Sequence, residues 1–240
     1  MKDLLKQNVA TIVTKNINTA PIFRKHKIDF SCHGDMLLSK ACEEQNVNLK
    51  QIVKELNAVN DNIYYLKDYN SWELDFLIDF LVNIHHDYKE ENILFLREYG
   101  EKVTKIYGKE YKELKKVNVL IQEITEYILE HMRNEENTIF PYIKKLIVAK
   151  NKNHIPDTKN SPLNEPIDSL EDDHEKVGYA FKQISKLTNN YFLPRDACIS
   201  YKILYLKLQQ FEEELYKHIH IENNILFPKA KKLERSFYKV

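Results

Sequence analysis

The stretch HMRNEENTIFPYIKKL, residues 131–146, recurs 87 residues later as HIHIENNILFPKAKKL, residues 218–233. Eight of the 16 aligned positions are identical, and both copies begin with the pattern H-x-x-x-E. Residues four apart on an α-helix lie one turn above each other on the same face. His131 with Glu135, and His218 with Glu222, can therefore each aim an imidazole and a carboxylate at one point. This is a metal-binding geometry, and the sequence presents it twice.

A further histidine precedes each copy of the repeat at a similar distance. His85 lies 46 residues before His131, and His174 lies 44 residues before His218. The chain thus contains two helix pairs, each with one histidine followed by one H-x-x-x-E pattern. Four histidines and two glutamates that converge in a helical bundle are what a dinuclear metal centre requires.

The candidate ligands lie on apolar stripes of four predicted helices. Ile124, Tyr127 and His131 are spaced by three and four residues, which marks the buried face of an amphipathic helix. The other three helices show the same spacing up to their own candidate ligands. Each residue turns an α-helix by about 100°, so the adjacent His86 and the nearby His220 are expected to point away from the metal centre.

These patterns predict an all-α fold. We expect an up-down-up-down four-helix bundle over residues 72–240, preceded by a small helical domain over 1–60 and a linker over 61–71. The chain has 4 glycines in 240 residues, which indicates helices joined by few tight turns. Asn48 is expected to cap a helix. The Phe-Pro pairs at 140–141 and 227–228 are expected to kink or restart the second and fourth bundle helices.

A metal site explains the stripes better than a set of ordinary core residues does. A single buried histidine more often has a hydrogen-bond partner than a metal ion, and a single H-x-x-x-E pattern is a weak signal. Two unpaired carboxylates on inward stripes, however, would cost several kcal/mol each. Imidazole and carboxylate ligands suit iron, manganese or zinc, and the stripes carry no thiolate for a structural zinc or iron-sulfur site.

The composition argues against several other classes of protein. The 36 Lys and Arg residues balance the 36 Asp and Glu residues, so no net charge favours nucleic acid or an anionic membrane as a partner. No run of about 18 apolar residues is present, and the N-terminus lacks a secretory signal pattern. Three cysteines are too few for a disulfide framework, which indicates a reducing compartment. We therefore expect a cytoplasmic protein.

The pattern of candidate ligands resembles that of the hemerythrin-like domain, and more closely that of the RIC family of di-iron proteins for repair of iron centres. The resemblance covers nearly the whole chain. The segment before the bundle resembles the family's short N-terminal domain, whose double-cysteine and double-glycine turn appears here as SCHG, residues 31–34. The family's metal ligands correspond to His85, His131, Glu135, His174, His218 and Glu222.

This resemblance implies a cofactor and a function. The cofactor would be two non-heme iron ions with an oxo or hydroxo bridge. The function would be repair of iron-sulfur clusters after nitrosative or oxidative damage, by donation of iron to damaged iron-sulfur proteins, without nucleic acid or membrane partners. A homodimer is left open. Two alternatives use the same ligands: a di-iron enzyme that reduces nitric oxide or peroxide, and a diatomic-gas sensor or store.

The turn around Cys32 departs from the family pattern. Ser31 stands where the family has its first cysteine, and His33 stands where it has its first glycine. A vicinal disulfide or dithiol therefore cannot form, and a redox or metal-transfer role of this turn would fall on Cys32, together with His33. Cys42 and Cys198 lie within ordinary helical stretches and are expected to be structural.

Overall fold

Helices make up most of the molecule. The computed structural model describes residues 4–59, 68–154 and 163–238, and it is 79% helical, which confirms the predicted all-α fold class. The chain divides into two compact units. The terminal unit comprises Met1–Leu77 and Tyr216–Val240, and the central unit comprises Ile78–Leu215.

Short helices begin the terminal unit: α1 (Val9–Lys15), α2 (Ala20–Lys25), α3 (Leu38–Glu44) and α4 (Leu49–Asn57). Asn8 caps α1 by accepting a hydrogen bond from the amide of Thr11. Asn48 caps α4 in the same way, as predicted, and accepts from the amides of Lys50 and Gln51. The apolar faces of these helices enclose a core that includes Val13, Phe23, Leu38, Ile52 and Tyr216.

Longer helices build the central unit. They follow α5 (Leu74–Phe80) and comprise α6 (Asp87–Tyr107), α7 (Glu113–Asn134), α8 (Phe140–Asn151), α9 (Asn164–Leu187) and most of α10 (Ile199–Ile221). α6 and α7 run antiparallel, since the hydroxyl of Thr104 donates to the carbonyl of Leu114 and Arg97 donates to Gln122. α7 also packs against α9. The last helix, α11 (Phe227–Ser236), belongs to the terminal unit.

Among the described residues, π-helical segments occur at Leu81–His86, Glu135–Ile139 and Glu222–Leu226. Such segments are rare in proteins and are found mostly at functional sites. Pro141 and Pro228 are the second residues of α8 and α11, directly after two of these segments. A proline cannot donate the backbone hydrogen bond of a continuous α-helix. The register change before each proline agrees with the predicted restart at the Phe-Pro pairs.

The structure describes only residues 68–71 of the predicted linker. Residues 61–67 lie outside the described part of the chain, and Tyr69–Ser71 form a 3₁₀ turn. The predicted division into residues 1–60, 61–71 and 72–240 stays a prediction, because the compact units divide the chain after Leu77 and after Leu215. In the ranges that the structure covers, no helix is long and apolar enough to span a membrane.

Candidate metal centre

The side chain of Glu135 lies between two histidines in the central unit. His131 Nε2 is 3.3 Å from Oε1 of Glu135, and His86 Nε2 is 3.4 Å from Oε2. Glu135 is 0% exposed, and neither of its carboxylate oxygens has a hydrogen-bond partner among the described residues. A buried carboxylate without hydrogen bonds is costly unless a cation neutralises it. The arrangement therefore fits a bound metal ion.

A third histidine joins this cluster from α9. His174 Nε2 is 3.0 Å from His131 Nε2, and both rings are buried. The ligand atoms of His131, Glu135 and His174 all lie within 4.8 Å of one another. Two imidazole nitrogens that face each other can share one proton or can bind one metal ion. With the carboxylate of Glu135 beside them, the second arrangement also neutralises the buried charge.

Carboxylates hold the outer nitrogens of two of these histidines. Glu136 Oε1 is 2.6 Å from Nδ1 of His86, and Asp173 Oδ2 is 3.5 Å from Nδ1 of His131. A carboxylate that accepts from Nδ1 keeps the proton on that nitrogen and leaves the lone pair of Nε2 for a metal ion. The sequence analysis did not identify Glu136 or Asp173. Their positions directly after Glu135 and directly before His174 were the available signal.

Asp173 also belongs to a wider hydrogen-bond network. It accepts hydrogen bonds from the hydroxyl of Tyr127 and from Nζ of Lys176. The hydrogen bond with His131, followed by those from Tyr127 and Lys176, holds the pKa of Asp173 well below its usual range. Asp173 is therefore ionised at neutral pH, which is the state that orients the imidazole of His131.

The structure brings His86 to Glu135 and places His85 elsewhere. His85 Nδ1 is 2.9 Å from Glu214 Oε1, and its ring packs edge-on against Phe80. The prediction that His86 misses the cluster was wrong. It assumed 3.6 residues per turn, whereas both histidines end a π-helical segment, whose wider turn changes which side chain faces inward. We accordingly replace His85 with His86 in the candidate ligand set.

The second copy of the repeat has the same local structure in the terminal unit. His218 Nε2 is 2.8 Å from Glu222 Oε2, and both side chains are buried. Glu222 is the first residue of its π-helical segment, as Glu135 is of its own. The predicted pairing of imidazole and carboxylate within each H-x-x-x-E pattern is therefore present in both copies.

His220 points away from this pair, as the sequence predicted, and is fully buried against the start of the chain. Its Nδ1 lies 3.1 Å from the carbonyl oxygen of Phe30, and its Nε2 lies 3.2 Å from Oγ1 of Thr14. Burial lowers the pKa of His220 to about 4, so the ring is neutral at physiological pH. Asn224, one turn later, donates to the carbonyl of Ser31 at 3.0 Å.

The turn that carries Cys32 is organised by Asp29. Oδ1 of Asp29 accepts hydrogen bonds from the amides of Ser31 and Cys32, both at 3.1 Å. His33 is largely exposed, with Nδ1 3.7 Å from Asp29 Oδ2. At Gly34 an added Cβ would lie 2.5 Å from the carbonyl oxygen of Phe30, so the turn requires glycine there. A transfer or redox role for Cys32 and His33 stays a prediction.

The other two thiols lie outside this turn. Cys32, Cys42 and Cys198 are all unbridged. Cys42 is buried in the core of the terminal unit, and its burial raises the pKa of the thiol. A backbone hydrogen bond from Tyr201 and a side-chain hydrogen bond with Tyr107 lower the pKa of Cys198, which lies directly before α10 and not inside a helix as predicted.

Comparison with known proteins gives matches along most of the chain. Residues 84–230 match the family described as Hemerythrin HHE cation binding domain, and residues 5–60 match ScdA_N, a Domain of Unknown function (DUF542). The iron-sulfur cluster repair protein ScdA of Staphylococcus haemolyticus is 31% identical over 227 residues, covering 92% of this chain and 96% of that protein. The iron-sulfur cluster repair protein YtfE of Yersinia pseudotuberculosis is 28% identical over 228 residues, covering 95% and 98%.

Proposed function

The chain belongs to the hemerythrin HHE cation-binding family and shares nearly its whole length with iron-sulfur cluster repair proteins, and from this premise we propose that it repairs damaged iron-sulfur clusters by donating iron. The observation that carries the proposal is the carboxylate of Glu135. It is fully buried between the imidazoles of His86 and His131, and its oxygens have no hydrogen-bond partner among the described residues. A cation is the simplest neutralising partner for it.

Six side chains form the proposed ligand set. The sequence repeat and the family membership support one dinuclear centre that uses both copies of the H-x-x-x-E pattern. The set is His86, His131, Glu135, His174, His218 and Glu222. Iron is the metal that the repair function of the relatives favours, and the imidazole and carboxylate donors fit it.

The chemistry of the ligands suits a store from which iron can leave. The set is made of imidazole and carboxylate donors and contains no thiolate. These six side chains would hold the iron, and its departure would not require a thiolate cage to break. Glu136 and Asp173 hold the protons of His86 and His131 on Nδ1, so the Nε2 atoms can bind a metal ion. The bound iron would be the metal that the protein donates to damaged clusters.

Two other functions would use the same residues. A di-iron enzyme would reduce nitric oxide or peroxide at coordination positions that the protein leaves open, and it would keep its metal through many cycles. A sensor of diatomic gases would need a part of the chain that passes on a signal, whereas a store would only bind the gas. We place the protein in the cytoplasm, where its unbridged cysteines would stay reduced, and propose damaged iron-sulfur proteins as its partners.

One experiment separates the donor from the enzyme. Iron-loaded protein is incubated anaerobically with an enzyme whose iron-sulfur cluster has been inactivated, and both recovered activity and residual iron are measured. We expect activity to recover while at least one iron per chain is lost and the helices stay folded. The variant Glu135→Leu, which lacks a proposed bridging ligand, serves as the control and should restore little activity. Recovery without iron loss, or rapid turnover of nitric oxide or peroxide with full iron retention, would show that the protein is an enzyme.

A further inference from the structure

The helical segment that follows Tyr216 has two different faces within the terminal unit. His218 and Glu222 form the imidazole and carboxylate pair on one face. His220 lies two positions after His218, which is about 200° around an α-helix, and Asn224 lies two positions after Glu222. The second pair contacts the turn that carries Cys32. The proposed ligands and this turn therefore lie on opposite sides of one helix.

We call His220 and Asn224 the docking pair. A carbonyl oxygen only accepts hydrogen bonds, so Nδ1 of His220 carries the proton and donates to Phe30, at 3.1 Å. Nε2 of His220 is then left to accept from the hydroxyl of Thr14, at 3.2 Å. Asn224 Nδ2 donates to the carbonyl of Ser31, at 3.0 Å, and lies 3.2 Å from Nδ1 of His220, which already carries a proton and does not accept from it. The docking pair thus holds two successive carbonyls of the turn and one hydroxyl of α1.

Aromatic packing supports the same contact. The ring of Phe30 packs edge-on against Tyr216, with centroids 6.3 Å apart, and lies 5.8 Å from the ring of His220. The side chain of His220 is 0% exposed, so water does not compete for its hydrogen bonds. Hydrogen bonds in such a dry environment are more rigid than exposed ones, because losing a partner leaves a buried polar atom unsatisfied.

The docking pair brackets the carboxylate ligand along the chain. His220 lies two residues before Glu222 and Asn224 lies two residues after it, while Glu222 begins a π-helical segment. π-turns are rare and occur mostly at functional sites, so the contacts of the neighbouring residues help to hold the first residue of the segment in place. The docking pair provides such contacts on the side of the helix opposite the ligand.

We propose that His220 and Asn224 are positioning residues, which fix His218 and Glu222 by binding the backbone of the turn that carries Cys32. The inference rests on the proposed function, since it assigns iron retention to His218 and Glu222. The N-terminal turn then controls how firmly iron is held, without contributing a ligand. A client protein that displaces the turn would remove the contacts on the opposite side of the helix, and the proposed ligands would then hold iron less firmly.

The test compares full-length variants in two assays. His220→Phe keeps a ring but loses both hydrogen bonds, and Asn224→Leu is a milder change that loses one. Glu55→Gln is the matched control, because it removes an ion pair with Lys25 and His26 in the same unit without touching the docking pair. The first assay measures the rate at which a maleimide labels Cys32 in metal-free protein. The second measures the rate at which ferrozine removes ferrous iron from loaded protein.

We expect Asn224→Leu to label Cys32 and to lose iron about fivefold faster than wild type, a change typical of one lost hydrogen bond. His220→Phe loses two hydrogen bonds and should raise both rates about 25-fold. Glu55→Gln should change neither rate. Unchanged labelling would show that the docking pair does not hold the turn. Faster labelling with unchanged iron release would show that the turn does not position the ligands. Either result overturns the inference, whereas wild-type protein that binds no iron would overturn the proposed function itself.

Discussion

Glu135 and Glu222 are each the first residue of a π-helical segment, and each follows a histidine by four positions. Both carboxylates are fully buried. The repeat in the sequence is therefore also a repeat of an uncommon backbone conformation. Two copies of a rare turn, each beginning at a buried acid, indicate that the turn serves the site.

The first prediction concerns the two adjacent histidines. Protein loaded with ferrous iron should hold close to two irons per chain, and His86→Ala should deplete the centre because Nε2 of His86 faces Glu135 at 3.4 Å. His85→Ala is the matched control and should keep its iron, since Nδ1 of His85 faces Glu214 instead. Iron per chain, measured after anaerobic desalting, checks both. Depletion in the His85 variant with retention in the His86 variant would restore the assignment made from helical periodicity.

This pair of histidines shows what the sequence could and could not reveal. Apolar spacing located the helices, and the repeated H-x-x-x-E pattern located both buried pairs. In each copy the residues from the histidine up to the acid are α-helical, and the π-helical segment begins only at the acid, so the spacing of one helical turn holds. A change of register within a helix leaves no compositional signal. His85 and His86 are the same residue type, so only the backbone of Leu81–His86 decides which one faces inward.

The sequence analysis missed the carboxylates that contact Nδ1 of His131 and His86 for a different reason. Asp173 and Glu136 are charged residues beside candidate ligands, and most such residues in a sequence with 30% charged residues are solvated. Only the distances to His131 and His86 identify them. The docking pair was equally hidden, since a hydrogen bond between residues 30 and 220 depends on tertiary packing.

The second prediction concerns the conflict between stability and metal binding at Glu135. Replacing this buried acid by a neutral amide, in Glu135→Gln, should raise the stability of the metal-free protein by about 1–3 kcal/mol, because the buried negative charge is removed. The same variant should bind less iron. Thermal unfolding with and without iron measures both effects. Glu130→Gln, at an exposed position of the same helix, should change neither, and a less stable metal-free Glu135→Gln would contradict the idea that the carboxylate is unsatisfied.

The third prediction concerns Asp173, which contacts His131 Nδ1 at 3.5 Å. Asp173→Asn should weaken iron binding by about 10–100-fold, the usual effect of removing an outer hydrogen-bond partner from a metal ligand. Competition with a chelator of known affinity gives the change. Asp172→Asn removes the same charge from the neighbouring exposed position and should have little effect. Equal losses in the two variants would mean that the overall negative charge, and not the contact with His131, matters.

The fourth prediction concerns pH and the contact between Glu55 and His26. Hydrogen bonds from His26, Gln51 and Lys25 lower the pKa of Glu55 from 4.5 to about 2. A folded-state pKa below the unfolded value means that the stabilisation is complete above about pH 4.5 and is lost as the pH falls towards 2. The difference in urea midpoint between wild type and Glu55→Gln should therefore shrink over this range. It should be small throughout and smaller at high salt, because the carboxylate is solvated. A difference that grows on acidification would exclude this assignment.

The last prediction concerns Cys32, which offers one thiol where the family turn has two. Cys32→Ser should leave the iron content unchanged, because the six proposed ligands include no sulfur. The turn should also keep its shape, since Asp29 Oδ1 binds backbone amides of the turn and not the thiol. Repair of an inactivated cluster enzyme should nevertheless be slower, because the variant removes the thiol to which we assign the transfer step. Iron content and recovered activity, measured on the same preparation, separate the two effects. Loss of iron in Cys32→Ser would make the turn part of the metal site, and full iron with full repair activity would leave the thiol without a role in either step.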